Sequence, residues 1–103
     1  MWAQLLKVRT KPGREDDVVK IVEKLREAEQ PGSGLIRSVA TRDQRDPAQV
    51  YFFIVFESEE KARAREGDER RQAALQDVRA LMADVFDGPP EFVNLEVVAE
   101  TVG

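Results

Sequence analysis

The stretch Val50–Phe56 reads Val-Tyr-Phe-Phe-Ile-Val-Phe, an unbroken run of apolar and aromatic residues. Turn-like Asp46-Pro47 precedes it and Glu57-Ser58-Glu59 follows. The run is too short for an isolated helix and rich in residues that favour strands. Val50, Phe52, Ile54 and Phe56 must point one way, and Tyr51, Phe53 and Val55 the other. Both faces therefore need a cover. One can come from helices of the same chain, while the other calls for a second layer.

The flanking segments supply the first cover. Trp2–Arg9 predicts a strand, with Trp2, Gln4, Leu6 and Val8 on one face. Thr10-Lys11-Pro12-Gly13 is a turn, and Glu15, Asp16 and Asp17 suit the positive end of a helix dipole. Val18, Ile21, Val22, Leu25 and Ala28 then follow at helical spacing, with Asp16 and Lys20 placed to pair on the exposed side. Gln30–Gly34 ends that helix. Leu35–Thr41 predicts a second strand, joined to the central one by the charged loop Arg42–Ala48. Glu59–Glu66 is a short charged helix, interrupted by Gly67-Asp68. A longer helix over Glu69–Phe86 carries Ala74, Val78, Leu81, Met82, Val85 and Phe86. Asp87-Gly88-Pro89-Pro90 stops it. Glu91–Ala99 is the last strand, with Val93, Leu95, Val97 and Ala99 on an apolar face. Asn94 and Glu96 lie on the mixed face, as polar lining or as exposed edge.

This order implies an α+β, ferredoxin-like βαββαβ fold, a four-stranded antiparallel sheet with both helical segments on one face. A chain of 103 residues without repeat or linker is expected to form a single domain, residues 1–103.

Composition narrows the chemistry. There is no cysteine and no histidine. Thiolate nucleophiles, disulfides and the commonest metal and haem ligands are thereby excluded, so no metal site and no cofactor are expected. No dinucleotide fingerprint suggests a flavin. The net charge of -4 argues against nucleic acid and anionic membranes as partners. The N-terminal residues lack a basic region followed by a long apolar stretch, and no run approaches spanning length. A cytoplasmic location is the expectation.

Three carboxylate pairs, Asp43 with Asp46, Glu59 with Glu60 and Asp84 with Asp87, fall in charged loops or helix ends and read as solvated surface. The mixed-sign run Arg63–Arg71 reads the same way, with Glu59/Arg63 and Glu66/Arg70 spaced as helical surface pairs. Tyr51-x-Phe53-Ile54-x-Phe56 partly matches the aromatic strand of an RNA-recognition motif. Gln49-Val50 stand where that signature needs a basic residue and glycine, and the first strand lacks the partner motif.

Three segments carry a closer resemblance. Val8-Arg-Thr-Lys-Pro-Gly13 with its acidic helix start, the strand ending Phe56-Glu57-Ser58, and Glu59-Glu60-Lys61-Ala62 resemble the antibiotic-biosynthesis-monooxygenase-like family of dimeric α+β barrels. The resemblance implies a homodimer through the sheet face, with a small pocket in each subunit between its own sheet and helices. It also implies a small apolar or aromatic ligand, and cofactor-independent oxygenation of a self-activating substrate as one activity. Such chemistry needs a shaped apolar pocket and a few polar groups to hold an anionic substrate. The family's haem-degrading branch carries an Asn at the position of Leu6. A family His is replaced by Arg65, and a frequent Trp by Phe56. These departures argue against haem and metal.

Trp2, Gln4, Leu6, Phe56, Met82 and Phe86 are the candidate pocket residues, with Arg65 as a polar rim. Filling of an ordinary core is an equal reading for the apolar ones. No catalytic residue is identified, and enzyme status stays open. The alternative is a non-catalytic ligand-binding or stress-type barrel protein, with an RNA-binding module a distant third.

Overall fold

A computed structural model describes residues 1–103. The strands are β1 (Trp2–Arg9), β2 (Leu35–Arg42), β3 (Gln49–Phe56) and β4 (Glu91–Glu96). The helices are α1 (Val18–Ala28), α2 (Glu59–Glu66), α3 (Glu69–Ala74) and α4 (Gln76–Val85), and a single 3-10 turn at Glu15–Asp17 leads into α1. The sheet runs β2-β3-β1-β4, antiparallel throughout. The four-stranded α+β, ferredoxin-like arrangement expected from the pattern is the one observed.

Register decides which side chains share a face. Trp2 pairs with Phe56, Gln4 with Ile54, Leu6 with Phe52 and Val8 with Val50. These side chains all point towards the helices. Leu6, Val8, Val50 and Phe52 meet Val18, Ile21 and Ala28 of α1, together with Leu75, Val78, Val85 and Phe86. A smaller cluster of Trp2, Phe56 and Ala62 closes the other end. The Trp2 and Phe56 rings lie 5.9 Å apart, and the Arg63 guanidinium sits 5.2 Å above Trp2.

Local chemistry sets the helix ends. Ser58 caps α2 by accepting a hydrogen bond from Lys61 N at 3.1 Å, and Asp68 caps α3 by accepting from Arg70 N at 2.9 Å. Gly34 turns the chain into β2 with φ +82, and a Cβ there would lie 2.7 Å from the Lys61 side chain. Its carbonyl accepts from Glu57 N, which ties the start of β2 to the end of β3.

Several details differ from the sequence expectation. The helix predicted over Glu69–Phe86 is broken at Leu75, whose near-zero ψ turns the chain between α3 and α4. Leu75 rather than Ala74 is therefore buried. Phe86 lies beyond α4 in extended backbone, bridged to Thr10, with its ring edge-on to Phe52. Lys20 pairs with Asp17, and Asp16 with Arg42. Arg70 turns to Asp68, and Glu66 to Arg63. In both cases a nearer or better-aimed partner outcompetes the i,i+4 one. The last strand ends at Glu96, short of Ala99.

The opposite face of the sheet is apolar at its centre, with Lys7, Arg9, Arg37 and Glu91 around it, and carries no helix of this chain. Leu5, Tyr51, Phe53, Val55, Val93 and Leu95 lie there, paired across β1, β3 and β4. Phe53 is 41% exposed, and its β2 neighbour Val39 39% exposed. No helix of the chain is long and apolar enough to cross a membrane.

Candidate functional site

Between the two core clusters the helices stand away from the sheet. The gap is a cavity of about 580 Å3. Its floor is Gln4 and Leu6 of β1 and Phe52, Ile54 and Phe56 of β3. Val22, Leu25 and Glu29 reach it from α1, Ala62 and Arg65 from α2, and Arg71 from α3. Leu75, Arg79 and Met82 complete that wall, and Ile36 and Phe92 sit on the flanking strands. The volume is ordinary for a small-molecule site, and the lining is mostly apolar.

Helical spacing explains the walls. Val22 and Leu25 lie three residues apart on one stripe of α1, and Glu29 follows just past its end in extended backbone. Arg71, Leu75, Arg79 and Met82 share a stripe across the α3–α4 turn. Ile36 enters because a bulge between Leu35 and Arg37 shifts the β2 register.

Charge is unevenly distributed. Five arginines line the cavity or its mouth (Arg26, Arg37, Arg65, Arg71 and Arg79) against two glutamates, Glu29 and Glu66. The chain as a whole is acidic. Arg65 and Glu29 form a two-point ion pair: Nη2 donates to Oε1 at 2.7 Å and Nε to Oε2 at 3.0 Å. Their side chains are only 13% and 19% exposed. The Arg65 guanidinium also lies 5.3 Å over the Phe56 ring. Burial pushes the Glu29 carboxyl upward, but hydrogen bonds from Arg65 and Ser33 and the Arg65 charge outweigh it. The carboxyl is held below its usual range. Glu66 is occupied by Arg63 at 3.3 Å. Both carboxylates of the cavity are thus paired with arginines, Glu29 inside and Glu66 at the exposed mouth. On the floor, Gln4 Nε2 donates to Asn94 Oδ1 at 3.0 Å, which places Asn94 on an exposed edge.

Of the candidate pocket residues, Gln4, Leu6, Phe56, Arg65 and Met82 converge on the cavity. Trp2 and Phe86 do not. Trp2 is packed behind Phe56, and Phe86 fills the far core against Phe52. Leu25, Glu29, Arg71 and Arg79 were not among the candidates. Leu25 carried the signal of the α1 stripe, and Arg71 and Arg79 the i,i+4 spacing around Leu75, which the mixed-sign run hid at Arg71. None of the three carboxylate pairs gathers into a group of three metal-ligating side chains. Asp46 binds Arg9, Asp84 binds Arg14 and Glu59 binds Arg63.

The Glu29 carboxyl is lowered in the folded state. Its contribution to stability is therefore full above its ordinary value of 4.5 and fades as pH falls through the lower folded value. Glu29→Gln leaves the Arg65 cation short of an acceptor. It is expected to cost about 1–2 kcal/mol at neutral pH, the low end for a charged partner because the pair keeps some solvent contact. The loss should shrink in acid. Urea midpoints of both proteins at neutral pH and well below the ordinary carboxyl value measure it. An equal loss at both would contradict the charge argument.

The fold is similar to that of several solved structures. A MhuD point mutant with two manganese protoporphyrin IX bound per active site shares 18% identity, with each chain covered over 100% and a TM-score of 0.81. A protein of the antibiotic biosynthesis monooxygenase type from Bordetella bronchiseptica shares 21% identity over 95% of this chain and 97% of its own, at a TM-score of 0.75. The Nitrosomonas europaea protein NE2512, of unknown function, shares 22% identity over 99% of this chain and 93% of its own, at 0.74. These identities establish the fold alone. No curated protein matches the chain. The model of the family described as antibiotic biosynthesis monooxygenase matches residues 1–77, so this chain belongs to that family.

Proposed function

We propose that this chain binds a small apolar or aromatic metabolite in the cavity of each subunit of a homodimer, and oxygenates it without a cofactor. The observation that carries the reading is the cavity itself: an apolar floor across β1 and β3, with guanidinium groups around the opening. A phenol, or a methylene flanked by aromatic rings and a carbonyl, can ionise by its own acidity. Its anion can pass an electron to O2, recombine with the reduced oxygen and lose water. One oxygen atom enters the product, the other leaves as water, and the substrate supplies every electron. The protein's part is to exclude water and hold the anion against positive charge.

The engagement of Glu29 and Glu66 limits the substrates to those acidic enough to ionise unaided. The same observation favours a second reading, a binding protein without chemistry. Oxygen uptake separates the two. With a panel of phenolic and anthrone-type compounds, uptake that saturates with substrate and is stoichiometric with product supports oxygenation. Saturable binding without uptake would leave only the binding role.

Haem is a poor fit. The chain has no histidine or cysteine, and its one tyrosine, Tyr51, lies on the opposite sheet face, so the cavity offers an iron atom none of these ligands. Its one sulfur is the Met82 thioether, a weak ligand that in proteins accompanies a stronger one.

The dimer rests on the uncovered sheet face. Phe53 and Val39 are exposed there beside half-buried Leu5, Tyr51, Val55, Val93 and Leu95, and covering such an apolar surface is worth on the order of several kcal/mol. A two-fold axis makes such a contact self-complementary and closed. Strand parity sharpens the test, since Phe53 lies on that face and Phe52 is buried under the helices. Phe53→Asp is expected to give folded monomers or weakened dimers, and Phe52→Asp to unfold the subunit. Sedimentation of the wild type at micromolar concentration should show twice the 11.7 kDa chain mass. A single species at that chain mass would overturn the dimer.

A further inference from the structure

Arg71 stands apart from the other cations of the cavity. It is half-buried in the wall, lined up with Leu75, and no side-chain or backbone acceptor bonds its guanidinium. The two carboxylates near enough to act on it are spoken for, Glu29 by Arg65 and Glu66 by Arg63. No buried side-chain nitrogen or oxygen in the molecule lacks a partner, so the guanidinium is not sealed in the core. It opens onto the cavity. Burial, and next the Arg65 charge, pull it below the usual arginine range, as befits a cation short of a counter-ion.

We propose that Arg71 makes the cavity a receptor for a carboxylate-bearing aromatic or apolar molecule. The carboxylate lies in the Arg71 fork, and the hydrocarbon body lies over Phe52, Leu25 and Met82. The inference rests on reading the cavity as a ligand site and names the ligand class that the site selects. A partly desolvated cation without an acceptor carries a penalty that an entering anion removes. The planar guanidinium matches a planar carboxylate through two parallel hydrogen bonds. Arg65 has already spent its fork on Glu29. Arg26, Arg37 and Arg79 are exposed to water and steer an anion more than they grip it. One free inner fork against apolar walls fits one carboxylate on a ring system.

The test compares naphthoate with naphthamide, which has the same shape but no charge, by titration calorimetry on the full chain. Naphthoate is expected to bind about tenfold tighter or more, the effect of one charge-assisted contact. Arg71→Gln should abolish that preference and leave naphthamide unchanged. Arg45→Gln, the same charge change on an exposed loop, should keep it. Should Arg71→Gln fail to fold, Arg71→Lys keeps the charge and loses the fork. It should weaken naphthoate several-fold while sparing naphthamide. Equal binding of both probes, a preference that survives Arg71→Gln, or one that Arg71→Lys leaves undiminished, would overturn the inference and leave the cavity reading standing. Binding of neither probe would remove the cavity reading and this inference with it.

Discussion

The two-sided apolar character of β3 is the constraint on which the rest of the molecule depends. A strand alternates its side chains, so a strand apolar at every position cannot be satisfied by one covering layer. Here Val50, Phe52 and Phe56 are buried under the helices, whereas Phe53 remains substantially exposed. The helices are committed to one face because each crossover returns the chain to the same side of the sheet. That commitment builds an interior on one side. On the other it leaves an apolar plane fit for a second sheet.

The interior is not filled uniformly. Aromatic pairs anchor its two ends, Trp2 with Phe56 and Phe52 with Phe86. Between them, shorter side chains leave the space between helices and sheet unfilled. The cavity is thus a consequence of where bulk is placed along β1 and β3. Its charge has a similar logic. The Arg65–Glu29 pair neutralises one cation at the α1–α2 junction, and Arg71 is left without such a partner. An acidic chain that gathers arginines around one opening concentrates attraction for anions there and disfavours them elsewhere.

Much of this architecture was legible in the residue pattern. Alternation in Trp2–Arg9 and Val50–Phe56 marks the two central strands, and the Val18–Ala28 stripe marks the first helix. These are long periodic signals that tertiary contacts reinforce. The interruption at Leu75 was not legible, because Glu69–Phe86 contains no glycine or proline and the turn is set by packing. The lining of the candidate cavity was legible in part. Gln4, Leu6, Phe56, Arg65 and Met82 followed from face assignment and family resemblance. Trp2 and Phe86 share faces with them but sit at the strand ends, where neighbouring helices fill the space. Arg71 escaped because a mixed-sign run looks like solvated surface until the helix register shows which arginine turns inward. The bulge at Ile36 left no mark in the sequence.

The central claim is that a ligand enters between the sheet and the helices and leaves the outer sheet face untouched. Methyl resonances report on both sides at once. Met82 lines the cavity, while Val39 and Val55 lie on the opposite face. Titration of the labelled protein with naphthoate is predicted to shift the Met82 methyl saturably and leave Val39 and Val55 in place. Shifts confined to Val39 and Val55, with Met82 unmoved, would contradict the account.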